Sequence, residues 1–290
     1  MNGTVEQHFG RVLWLRVILG ILVTAIISLS VHAVMLQVLH VPYPYGYPTA
    51  GWPAYPRAFF STLGALYLYP KLDQRFARLS TTLRCFMFFL LLASIRETLF
   101  RAAFMNIMNS SSVFYPIVEV IPKLLPIAII ASLVVLYSTS STPAWTRWAA
   151  ALIISASVFF LCTLINSVFD KILGSIAGMA SPGLYDPPYD YHILIPAYLS
   201  FLEPVIATFF AAALTWNRLP RQRTARIAAF TLLIFLIKGP VVEPIIHIWF
   251  SHFKPLVAML SMAQFSFEAL LLGLLVSVFW SIVHVPQPQE

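Results

Sequence analysis

Charge is scarce in this chain. Asp, Glu, Lys and Arg make up 10% of its 290 residues, against about 25% in soluble domains. So few charged side chains cannot clothe a soluble surface of this size. With 59% hydrophobic residues and a mean hydropathy of +0.82, the composition is that of a polytopic membrane protein. Long polar stretches are also missing, which excludes a separate soluble domain, so residues 1–290 read as one transmembrane domain. Cysteine is nearly absent. Cys85 and Cys162 lie in apolar stretches with no CxxC or Cys/His spacing, which excludes a disulfide framework or a thiolate metal centre and leaves two small buried hydrophobes. The net charge of +7 does not point to nucleic acid, because the cations cluster briefly between apolar runs, as topology signals do.

What the chain does hold is apolar length. A spanning helix needs about 20 mostly apolar residues, and eight runs approach or reach that length: 13–39, 56–70, 83–108, 114–138, 147–169, 193–216, 226–250 and 257–284. The expected fold is therefore an all-α polytopic bundle of about eight transmembrane helices. The first run is too long for a signal-peptide core and reads as a retained signal anchor. Two loops rich in proline and aromatics, VPYPYGYPTAGWPAYPR and SPGLYDPPYDYH, suit caps at the headgroup level, since dense proline opposes a helix and Tyr and Trp favour the interface.

Arg11, Arg16, Lys71, Arg75, Arg78, Arg84, Arg147, Arg218, Arg221, Arg223 and Arg226 all fall on one side of an eight-span chain, against Arg57, Lys171 and Lys254 on the other. The positive-inside rule then predicts cytoplasmic termini and a plasma (inner) membrane location.

The scarce charges are oddly placed. Arg96, Glu97 and Arg101, Glu119 and Lys123, Glu203, Lys238, Glu243 and His247, and Glu268 fall inside five of the apolar runs. On the eight-span topology they occupy one slab from the midplane to the outer face. Ionisable groups at such depth cost at least about 2.5 kcal/mol each and normally face a protein interior with a function. Three pairs, Glu97/Arg101, Glu119/Lys123 and Glu243/His247, are four residues apart and would share a helix face. Pro116, Pro122, Pro126, Pro204, Pro240 and Pro244 stand beside the charges and are expected to break helices where a cavity tolerates irregular backbone.

The stretch Arg96-Glu97-Thr98-Leu99-Phe100-Arg101-Ala102 resembles the EExxxR motif of CAAX-type intramembrane proteases over these seven residues. Arg96 stands where that family has its water-activating glutamate, and the later FxxxH and HxxxN-type motifs are absent at comparable spacing, so the activity does not carry over. Glu243-Pro-Ile-Ile-His247, with Glu203 and Glu97, contains donors that a metal accepts, but there is no HExxH and no Cys/His cluster, so no metal site is assigned and the cofactor is left unknown.

The expected function is recognition or transport of a small charged or zwitterionic solute, or of a lipid headgroup, in an outward-opening cavity. In it Arg96, Arg101 and Lys238 would hold an anionic group, with Glu97, Glu119, Lys123, Glu203 and Glu268 around them and protons exchanging on the glutamates. The alternatives are an enzyme acting on a lipid-linked substrate, with Glu243 and His247 as acid/base or metal-binding pair, a sensor or anchor module working through a partner protein, and a static ion-pair scaffold. Lys238 is expected to bridge to Glu203 or Glu268. The bilayer and a polar or lipid-like ligand are the partners expected; nothing in the chain names a protein partner.

Overall fold

The structure, a computed structural model, describes residues 14–44, 47, 51–76, 78–108, 110, 114–138, 143, 145–176, 190–238 and 240–283, with backbone alone at 73–75. Arg11, residues 181–189 of the second aromatic-proline loop with Asp186, the side chain of Arg75 and residues 284–290 lie outside this description. Everything regular in the described residues is helical: α1 Trp14–Ala33, extended by a π turn at Val34–Val38; α2 Ala54–Phe76; α3 Thr81–Ile95; α4 Phe100–Met108; α5 Phe114–Ser138; α6 Thr146–Ile176; α7 Tyr191–Ser200; α8 Leu202–Thr215; α9 Arg223–Lys238; α10 Glu243–Ile246; and α11 Pro255–Val283. Five helical stretches, 14–38, 114–138, 146–176, 191–218 and 255–283, are long and apolar enough to cross a membrane, and the bent pair 223–249 makes a sixth. The chain is a multi-pass membrane protein. Of the remaining helices, α3 is apolar but has only 15 residues, and α2 carries Arg57, Lys71, Asp73 and Arg75.

The exterior is apolar. Leu15, Ile18 and Leu22 on α1, Phe160 and Leu164 on α6, and Ile245 on α10 are exposed, while Ser155, Thr208, Thr215, Gln264 and Glu268 are buried and hydrogen-bonded. That inversion suits lipid as solvent, because polar groups that water cannot reach must be satisfied within the bundle. At the centre, α11 packs against α1, α9 and α8, and α2 packs against α6, α9 and α5. Two glycines let helices meet closely. A Cβ on Gly64 would lie 2.9 Å from the backbone nitrogen of Ile237, and one on Gly273 would lie 3.0 Å from Thr231 Cα. Small residues at membrane helix contacts bring backbones within van der Waals range, where dispersion replaces a weak hydrophobic drive.

The breaks differ from the expected set. Pro116, Pro122 and Pro126 do not break the fourth run: α5 is continuous through Pro122 and Pro126, with Pro116 in its first turn. A first-turn proline removes a donor that has no helical partner anyway, and local adjustment and packing accommodate interior ones in membrane helices. At Pro240 and Pro244 the expected break is present, with α9 and α10 meeting at 45°. The sixth run breaks at Phe201, ahead of Pro204, which sits in the first turn of α8. The third run breaks with no proline at all, between Ile95 and Phe100.

Candidate functional site

The third-run break builds the site. At the end of α3 the Glu97 N–H donates to Ser94 O at 3.0 Å and the Thr98 N–H to Ala93 O at 2.9 Å, the paired bonds of a Schellman ending. That ending needs a left-handed residue, usually glycine, yet Glu97 occupies it at φ 62°, at a cost of roughly 1–2 kcal/mol. The reversal sends adjacent side chains to different partners: Arg96 donates to Ser61 on α2 at 2.6 Å, while Glu97 pairs with Arg101 and Lys238.

Around Glu97 the charges form one chain. Lys238 Nζ bonds Glu97 Oε1, and Glu268 Oε1 at 2.7 Å; Glu97 Oε2 accepts from Arg101 Nε at 2.7 Å. Beyond Glu268, its Oε2 meets His32 Nε2 at 2.6 Å, and His32 Nδ1 meets Gln264 Oε1 at 2.7 Å. The Gln264 amide nitrogen donates to Ser261 O at 2.6 Å, which fixes its oxygen towards the ring. Both His32 nitrogens thus face acceptors, an arrangement that only a doubly protonated imidazole satisfies. Phe201, fully buried, lies 5.1 Å from the Arg101 guanidinium and 5.6 Å from Lys238 Nζ. A cation over a desolvated ring gains about 2 kcal/mol.

Glu203 has a separate task. Its Oε2 accepts the Arg101 backbone N–H at 2.5 Å, and the amides of Phe100 and Leu99 also point at it. The carboxylate therefore caps the free N-terminus of α4 from another helix, where orphan donors and the helix dipole favour an anion.

A second cluster lies on the α2 side. Arg57 Nε bonds Glu243 Oε1 at 2.9 Å, and Glu243 Oε2 accepts the Val242 N–H at 3.1 Å. Tyr47 touches both Arg57 and His247, its ring 5.9 Å from the Arg57 guanidinium and edge-on to the His247 ring at 5.7 Å. Burial pushes the Tyr47 phenol up to about 12, and the Glu243 charge adds to it, so this hydroxyl stays neutral and donates to Pro53 O. His247 is fully buried, and neither ring nitrogen has a hydrogen-bond partner among the described residues.

Of the residues singled out in the sequence, Glu97, Arg101, Lys238 and Glu268 converge in one network, with Glu203 at its edge. Lys238 takes Glu268, and Glu97 in place of Glu203. Arg96, Glu243 and His247 belong to the α2-side cluster, where the His247 backbone N–H donates to Glu243 O but no side-chain hydrogen bond joins the two among the described residues. Glu119 and Lys123 pair with each other at 2.6 Å on a partly exposed face of α5, and no described ion pair links them to either cluster. Glu97 and Arg101 pair as their spacing suggests, although across a helix break and not along one face. No group of three His, Cys, Asp or Glu side chains among the described residues could hold a metal ion.

His32, Gln264, Arg57 and Ser61 join these clusters without having stood out in the sequence. His32 carries the same signal as the others, a titratable group deep in an apolar run; Arg57 stands at a run's edge, where it reads as a loop charge.

The network opens on space. Arg101 and His32 line a cavity of about 180 Å³ together with Tyr43, Tyr198 and an apolar wall that includes Leu36 and Ile193. Tyr43 brings the first aromatic-proline loop onto the cavity, and Tyr198 is held by Ser30 at 2.9 Å. Arg101 spends Nε on Glu97 and Nη1 on Ala197 O and Ser200, leaving Nη2 without a hydrogen bond among the described residues.

No protein family, curated protein or solved structure matches the chain. The functional reading therefore rests on this geometry.

Proposed function

We propose that the protein binds, and carries across the membrane, a small charged or zwitterionic solute or a lipid headgroup. The observation that carries this reading is that Arg101 and His32, two cations of the buried network, also stand on the wall of an otherwise mostly apolar cavity. A guanidinium edge beside an imidazolium in a low-dielectric site suits a carboxylate or phosphate, because charge-assisted hydrogen bonds strengthen away from water. Two tyrosine hydroxyls add neutral donors and acceptors for the rest of a polar ligand. The continuous path His32–Glu268–Lys238–Glu97–Arg101 supports proton coupling, since a proton moved at one end changes the charge felt at the other.

The membrane part of the reading is eight crossings of the plasma membrane with cytoplasmic termini and the cavity facing outward. It is supported by the broken stretches 81–108, 191–218 and 223–249, each matching one apolar run when its two parts are joined, and by the one-sided Lys and Arg. In that arrangement α1 ends and α7 and α11 begin on the outer side, beside the cavity.

The test is ligand retention. Protein purified gently from its own membrane, then denatured and analysed by mass spectrometry, is expected to release an anionic or zwitterionic compound. Ala33→Phe, which fills the cavity and leaves every ion pair intact, and Arg101→Gln should both lose it, and proteoliposomes should exchange that compound. Equal retention by wild type and Ala33→Phe would end the proposal.

A further inference from the structure

Counting charge in the two clusters exposes an imbalance. In the network around Lys238, Glu97, Glu203 and Glu268 stand against Arg101, Lys238 and His32, and every cation touches a carboxylate. On the α2 side, Arg57 and Arg96 stand against Glu243 alone, and that carboxylate is committed to Arg57 and the Val242 amide. Arg96 is half-buried, hydrogen-bonds only Ser61, and has no carboxylate within ion-pair distance among the described residues. It lies close enough to Arg57 and Glu243 to feel both charges. A guanidinium offers five N–H donors; most of those on Arg96, and both terminal nitrogens of Arg57, bond nothing described. His247 adds a buried ring with two unpartnered nitrogens nearby.

An unpaired guanidinium beside another guanidinium at a partly buried site is costly, and an oxyanion offsets that cost by accepting from both forks. Its source is indicated by the surroundings. Between the start of α2 and α6 runs an apolar groove of about 450 Å³ lined by Trp52, Tyr55, Pro56, Ala156, Phe159 and Phe160. Arg57 follows Pro56 in the chain, and Arg96 bonds Ser61, one helical turn beyond Arg57 on α2. The groove and the arginines thus share the first turns of α2, and Trp52 and Tyr55 are side chains that favour the headgroup level. An apolar groove ending at unsatisfied cations matches an acyl chain ending at a phosphate.

We propose that Arg57 and Arg96 bind the phosphodiester of an anionic phospholipid whose chain lies in the Trp52–Phe160 groove. This site is separate from the His32–Arg101 cavity and neutralises the one positive charge by which Arg57 and Arg96 exceed Glu243 in the α2-side cluster.

The experiment is native mass spectrometry and thermal stability of the delipidated full chain, titrated with phosphatidylglycerol, phosphatidylcholine or inorganic phosphate. Wild type should bind one phosphatidylglycerol in preference to phosphatidylcholine, with a saturable rise in Tm. Arg96→Gln should weaken that binding about tenfold, the loss of a charge-assisted fork. Glu243→Gln should strengthen it, because it removes the carboxylate that competes for Arg57; a merely structural role for Glu243 gives no such gain. Saturable stabilisation by inorganic phosphate without a phosphatidylglycerol preference would keep the anion site and overturn the lipid as its occupant. No preference among the three, or weaker binding in Glu243→Gln, overturns the proposal, and this second variant decides the matter even if Arg96→Gln fails to fold.

Discussion

Replacing Lys238 by methionine is the most informative perturbation of the network. The ammonium bridges Glu97 and Glu268 with its side chain almost fully buried, 8% exposed. Methionine keeps most of the volume, so packing is nearly conserved and the change is electrostatic. Glu97 keeps Arg101 and Glu268 keeps His32, but the cation shared between the two carboxylates is gone. Breaking a buried pair from one side costs about 3–5 kcal/mol, because it leaves an uncompensated charge. Adding Glu268→Gln removes that charge, lets His32 become neutral, and leaves Glu97 paired with Arg101. The double variant should therefore be more stable than Lys238→Met alone, with a coupling of about 2–3 kcal/mol, at the upper end for residues in contact. Reversible unfolding by SDS in mixed micelles, followed by circular dichroism, measures all four corners of the cycle. Additive losses, with the double variant the least stable, would refute the shared-cation arrangement.

Two further outcomes test the scaffold. Gly64→Ala places a Cβ 2.9 Å from the Ile237 backbone nitrogen, so α2 and α9 must separate at a cost of about 1–3 kcal/mol in the same assay; Gly174→Ala, with nothing within 4 Å, should be neutral or gain up to about 1 kcal/mol, and equal effects at both positions would contradict the close contact. Glu203→Ala removes the cap of α4 and should cost about 0.5–2 kcal/mol, with hydrogen exchange accelerated at the Phe100 and Arg101 amides, whereas Glu203→Gln, which retains an acceptor oxygen, should lose less; unchanged exchange in the alanine variant would remove the capping role.

The network's membership is partly legible in the sequence. Glu97, Arg101, Lys238 and Glu268 stand out because an ionisable group in an apolar run needs a partner, and the structure gives each of them one. The same rule gathers Glu119 and Lys123, which satisfy it with each other at 2.6 Å and so need no place in the interior. His32 does not stand out, because a lone histidine weighs little against an apolar run, although two buried acceptors face its ring.

Composition and hydropathy determined that the chain is an apolar, multi-pass helical bundle, since those properties are sums over residues and need no geometry. The prolines also marked the break at Pro240 and Pro244, although the same signal at Pro122 and Pro126 leaves α5 continuous. Tertiary structure alone decided the rest. A Schellman turn with Glu97 in the left-handed region parted neighbouring Arg96 and Glu97, sending one to Ser61 and the other to Lys238. Close packing at Gly64 and Gly273 set the helices near enough for Lys238 to reach two carboxylates. Which charges meet depends on helix rotation and backbone reversal, and those are fixed by contacts between residues far apart in sequence.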